Sequence, residues 1–119
     1  MDETRLGLVE SRFADLIWQN APIGSGELVK LAEGKLGWKK STTYTMLRRL
    51  CQRGLFENTD SVVKTLVTRE EFYARQSAQF VEDTFQGSLP AFLTAFTSQK
   101  KLSDEEVSQL EELIRRHRG

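Results

Sequence analysis

The chain has 119 residues, of which 39% are hydrophobic and 29% charged, enough for one small domain with an appendage and too little for a large multidomain enzyme. Lysine plus arginine total 17 and aspartate plus glutamate total 17, so no global field draws it to nucleic acid or to an anionic membrane, and any electrostatic function must be local. One cysteine and one histidine exclude an internal disulfide and a structural zinc site built from this chain alone, and neither a metal nor a cofactor is expected.

In chain order, residues 6–20 carry Val9, Phe13, Leu16 and Ile17 at helical spacing, which predicts a first helix with one buried face. Ala21-Pro22-Ile23-Gly24 reads as a breaker and Ser25 as the N-cap of a second helix, outlined by Leu28, Val29, Leu31, Ala32 and Leu36 and ending near Gly37. A third helix is expected from Lys40 or Ser41, with Thr43, Met46, Leu47 and Leu50 inward, stopping at Gly54.

After Gly54 the period changes. Leu55–Glu57 and Val62–Thr68 flank the turn-forming cluster Asn58-Thr59-Asp60-Ser61, which predicts a two-stranded hairpin. Thr68-Arg69-Glu70-Glu71 and Ser103-Asp104-Glu105-Glu106 match the capping box, placing helices over 69–86 and 104–117, and Ser88-Leu89-Pro90 opens a shorter one over 89–98. The fold class that follows is mainly α with a small β-hairpin: a winged helix-turn-helix DNA-binding domain over 1–68, then a helical dimerisation segment over 69–119.

Charge is concentrated where the third helix begins. Between Gly34 and Leu55 lie Lys35, Lys39, Lys40, Arg48, Arg49 and Arg53 with no acidic residue. Ser41, Thr42, Tyr44 and Thr45 interleave with these cations. A recognition helix enters the major groove with hydroxyls and arginines toward base edges and flanking cations on phosphates, and this segment has that composition. The expected DNA contacts are therefore Lys39, Lys40, Ser41, Thr42, Tyr44, Thr45, Arg48 and Arg49, with Lys64 as the cation of the wing.

The last third is unusually aromatic. Phe72, Phe80, Phe85, Phe92 and Phe96 fall within 25 residues, and Val107, Leu110, Leu113 and Ile114 form a stripe on the final helix. Three short helices cannot bury so much apolar surface on themselves. A homodimer is expected, with Phe80, Phe85, Leu89, Phe92, Leu93, Phe96, Val107, Leu110, Leu113 and Ile114 at its interface, and two-fold symmetry suits a palindromic operator.

These residues carry a resemblance over nearly the whole chain. Leu16-Ile17-Trp18, Trp38 followed by Thr42, Thr45-Met46-Leu47-Arg48-Arg49-Leu50, Arg53-Gly54-Leu55, Gly87-Ser88-Leu89 and Leu102-Ser103-Asp104-Glu105-Glu106 resemble, in order and spacing, the penicillinase-repressor (BlaI/MecI/CopY) family of bacterial transcriptional repressors. The resemblance implies winged-helix dimers in which the helix 41–53 reads double-stranded DNA and the hairpin 55–68 lies near the backbone. It also puts Thr42, Thr45 and Arg49 on the family's reading positions. Lys40-Ser41 stands where many members have proline and lysine, and Asp60-Ser61-Val62-Val63 where the wing commonly carries Gly-Arg, so operator sequence and wing contacts differ here. The copper-responsive branch needs paired cysteines, which Cys51 alone cannot supply. The antibiotic-responsive branch is cut at an Asn-Phe bond by a membrane sensor protease, and the equivalent bond here is Ala95–Phe96.

Other features are read as structural. Arg115-Arg116-His117-Arg118 is a basic end to the last helix, Cys51 a small buried hydrophobe, and Trp18 and Trp38 packing residues. The acidic N-terminus and short apolar runs predict neither a signal segment nor membrane insertion, and the compartment expected is a reducing cytoplasm. No catalytic constellation is present. The reading is a repressor released by an inducing signal, with a winged-helix protein adaptor lacking sequence-specific DNA binding as the alternative.

Overall fold

A computed structural model describes residues 6–119; the acidic start at Asp2 and Glu3 lies outside them. Helix α1 (Leu8–Asn20) buries Phe13, Ala14 and Ile17, one face at i, i+1 and i+4. Val9, expected on that face, is 55% exposed, so the buried stripe of α1 begins at Phe13.

Strand β1 (Ile23–Gly24) occupies the segment read as a breaker. It runs antiparallel to β3 (Val62–Thr65), which also pairs with β2 (Phe56–Thr59), so the expected hairpin is a three-stranded sheet in the order β1-β3-β2. A two-residue strand has no period to read, and only the partner strand reveals it. The hairpin is also tighter than expected. Asn58 and Thr59 pair within the ladder opposite Val63 and Val62, leaving Asp60 and Ser61, both at positive φ, as the turn. Leu66 and Val67 leave the sheet because their N–H groups both donate to the Leu55 carbonyl, at 2.9 and 3.2 Å.

Helix α2 (Ser25–Leu36) starts without a side-chain cap. Ser25, expected as the N-cap, is instead the first helical residue. It is buried, its N–H donates to the Ser61 carbonyl at 2.8 Å, and the wing turn thereby satisfies a donor that a cap would otherwise serve. Gly37 closes α2 at φ +69°, a left-handed position, with its N–H on the Glu33 carbonyl. Helix α3 (Lys40–Gln52) buries Thr43, Leu47 and Leu50, and Gly54 at φ +80° turns the chain into the wing.

Helix α4 (Arg69–Phe85) begins at the expected capping box: the Glu71 N–H donates to Thr68 Oγ1 at 3.1 Å, and the Thr68 N–H to the Glu71 carboxylate at 3.4 Å. Its first turns pack on α1. Phe72 is buried, Tyr73 shares a 2.8 Å hydrogen bond with Ser11, and Arg69 pairs with Asp15 at 2.9 Å while lying over the Tyr73 ring. Trp18 joins Phe56, Phe72 and Tyr73 at centroid distances of 5.3–6.0 Å, and its ring N–H donates to the Val67 carbonyl. Trp38 packs on Phe13 at 5.0 Å. Both tryptophans are packing residues, as expected.

Helices α5 (Leu89–Gln99) and α6 (Asp104–His117) complete the chain. Ser88 caps α5 through the Ala91 N–H, and Ser103 with Glu106 forms the second capping box. The described residues up to Gln79 form one compact unit and Phe80–Gly119 another. The first has a continuous core running from Phe13 to Phe72. In the second, Phe80, Phe85, Phe92 and Phe96 form a ring cluster with centroids 5.7–6.2 Å apart, yet none of its described residues is buried. No helix among the described residues is long and apolar enough to cross a membrane.

Candidate nucleic-acid interface

The core positions α3 by three buried residues on one side, Thr43, Leu47 and Leu50, so Thr45, Arg48 and Arg49 face outward. Thr43 remains compatible with full burial because its hydroxyl donates to the Lys39 carbonyl at 3.2 Å. On the outer face Ser41, Thr42, Thr45, Arg48 and Arg49 are exposed, with Lys39 and Lys40 exposed at the entry to the helix. The first turn of α3 has no acidic residue, and its N-cap, Lys39, makes no side-chain cap bond, so the leading N–H groups point to an uncapped positive end.

Ser41, Thr42, Thr45, Met46 and Arg49 line a shallow depression of about 210 Å³ along this face. Spacings of three and four residues bring these side chains together. The Thr45 hydroxyl gives its proton to the Ser41 carbonyl at 2.9 Å, so toward solvent its oxygen can only accept a hydrogen bond. Arg49 keeps its fork outward, with Nη1 3.8 Å from the Met46 sulfur.

Three cations or polar groups of the sequence reading lie elsewhere. Tyr44 is half-buried against the core, and its hydroxyl donates to Ser25 Oγ at 3.3 Å, which turns it from the depression toward α2. Lys64 is exposed on β3, directly across the ladder from Glu57, so an opposite charge sits beside the one wing cation. Arg53 pairs with Glu10 of α1 at 3.3 Å, and this removes one of the six cations of the window from the outer face.

Met46 is expected inward from its spacing. It is half-buried, resting on the core and also lining the depression. Its position one turn after Thr42 and three residues before Arg49 was the available signal. Cys51, also half-buried, has its thiol pushed up by burial and secondarily by Glu57, which favours the protonated form. The dimer candidates gather in the second unit. Phe80, Phe85, Phe92, Leu93 and Leu110 are half-buried, whereas Leu89, Phe96, Val107, Leu113 and Ile114 are exposed. The Ala95–Phe96 bond lies inside α5.

Comparison with known proteins identifies a family and one relative. The model of the penicillinase repressor family matches residues 6–116. A penicillinase repressor of Bacillus licheniformis is 24% identical over 108 residues, covering 87% of this chain and 84% of its own.

Proposed function

The chain belongs to the penicillinase repressor family, whose members are DNA-binding transcriptional regulators rather than enzymes, and from that premise we propose that it is a dimeric repressor acting on a palindromic operator. In this reading residues 1–68 read DNA and residues 69–119 join two copies, with the first turns of α4 packed against the reader. The observation that carries it is the outer face of α3. Exposed hydroxyls at Ser41, Thr42 and Thr45 are followed there by Arg48 and Arg49, behind Lys39 and Lys40 and free of any acidic side chain.

Roles follow from the chemistry. Lys39 and Lys40, with the uncapped N–H groups of α3, meet phosphates and supply affinity that is blind to sequence. Thr42, Thr45 and Arg49 face base edges and supply discrimination. Tyr44, held by Ser25, acts by fixing α3 on α2 rather than by touching DNA. Lys64 adds little, since Glu57 opposes it. Two reading helices related by a two-fold axis double the contacts, and repression by occupancy requires no catalytic group.

Release of the operator follows loss of the dimer, by a membrane sensor protease cutting Ala95–Phe96 in the cytoplasm. The bond sits within a helix, so cleavage requires local unwinding of α5. Incubation with such a protease and mass spectrometry of the fragments checks this: cleavage at Ala95–Phe96 with loss of DNA binding is expected, and an intact chain that still binds rejects it.

The whole reading is tested by titrating the full chain into fluorescent duplex taken from upstream of its own gene, against a scrambled duplex, at two salt concentrations. A sequence-preferring complex that persists at physiological salt is the expected result. Equal binding to both duplexes that vanishes with salt would leave only counterion release, and would favour a protein adaptor instead.

A further inference from the structure

The reading face of α3 is not uniformly polar. Met46 interrupts it, lining the same depression as Ser41, Thr42, Thr45 and Arg49 while one side of it rests on the core. A thioether has no proton to donate and is only a weak acceptor, so a polar base edge pressed against it would lose its water without gaining a partner. The major groove offers one apolar group among its base edges, the C5-methyl of thymine. Methionine is flexible and polarisable, well suited to close over such a methyl.

Arg49 is coupled to the same spot. Its Nη1 stands 3.8 Å from the Met46 sulfur, a contact that steadies the guanidinium across the depression before any DNA arrives. A guanidinium presented to the groove matches the two acceptors of guanine, and holding it in place reduces the ordering cost of that match. Thr45, able only to accept toward solvent, cannot take over Arg49's part.

We propose that Met46 is a specificity-determining residue of this helix, taking the C5-methyl of a thymine in each half-site and positioning Arg49 for a guanine in an adjacent base pair. The assignment rests on the reading of α3 as the groove helix given under Proposed function.

The test deletes the methyl from the DNA rather than from the protein. The tightest duplex selected from a randomised pool is remade with uracil replacing each thymine in turn, and affinities are measured for the wild type, Met46→Ala and Met46→Leu. For the wild type, uracil at one symmetry-related thymine weakens binding about four-fold, the worth of one methyl kept from water, while the other positions are neutral. Met46→Leu, which keeps an apolar surface of similar volume, retains that discrimination. Met46→Ala binds the parent duplex more weakly and no longer distinguishes thymine from uracil there. A wild type indifferent to uracil at every position overturns the assignment even if Met46→Ala does not fold, and so does a Met46→Ala variant that discriminates as the wild type does. Failure of the wild type to select any sequence from the pool is a different outcome, which overturns the repressor reading and this inference with it.

Discussion

The two compact units solve the problem of apolar surface in opposite ways. The unit ending at Gln79 encloses Phe13, Ile17, Leu28, Leu50, Phe56 and Val63 completely, using helices and a sheet that cover one another. The unit from Phe80 to Gly119 clusters four phenylalanines yet leaves Phe96 42% and Ile114 61% exposed. Both contain well-formed helices, and α5 and α6 of the less buried unit have capped starts where α1, α2 and α3 have no side-chain cap, so the difference is not one of local propensity. The first unit carries its own core, and the second gathers its apolar side chains without burying any of them. A surface of this kind is stable when a copy of itself supplies the other half, as an isologous interface does.

Substitutions in the two units are expected to act differently. Phe13→Ala empties a fully enclosed site and is expected to cost about 3–5 kcal/mol in urea denaturation, by the same amount at any protein concentration. Phe96→Asp puts a charge on the surface that the proposed dimer would cover. It leaves the first unit folded but removes the dimer, and operator affinity falls by about 10²–10⁴-fold as two linked readers become independent. Were the loss from Phe96→Asp absent, or independent of protein concentration, the second unit would be complete on its own. Thr45→Val removes an acceptor without changing shape; about 1–3 kcal/mol is lost at the cognate site and nothing on a scrambled duplex.

Smaller effects distinguish the helices themselves. Ser88→Ala deletes the α5 cap and costs about 1 kcal/mol, read as a lower thermal midpoint. The Glu106 carboxyl is held below its ordinary value, first by the Ser103 N–H and then by the Ser103 hydroxyl. A lowered carboxylate stabilises the fold at neutral pH, and that contribution disappears as pH falls through the lowered value. Loss of α6 helicity by circular dichroism is therefore expected on acidification below about pH 4, and the Glu106→Gln variant has a flatter profile.

Legibility in the sequence followed the range of the forces involved. Capping boxes act within four residues, and both starts, Thr68 before α4 and Ser103 before α6, were readable to the residue. The glycines that end α2 and α3 were readable for the same reason. β1 was not, because Ile23 and Gly24 become a strand only by pairing with Val63 and Val62, about 40 positions on. Ser25 reads as a cap by type, yet its N–H donates to the wing's Ser61 carbonyl and its hydroxyl oxygen accepts from Tyr44.

The candidate site divided along the same line. Thr42, Thr45 and Arg49 share the outer face by helical spacing, which the sequence contains. Tyr44 and Arg53 were drawn away by partners on other elements, Ser25 and Glu10, which no local pattern announces. Met46 belongs to both the core and the outer face, and periodicity alone assigns a boundary residue to one side or the other.

Sedimentation equilibrium of the full chain, alone and on a palindromic duplex selected by it, tests the central claim most directly. A dimer in free solution and two protomers on each palindrome are expected. A chain that sediments as a monomer at micromolar concentration, and binds the palindrome one protomer at a time with no gain over a half-site, would contradict it.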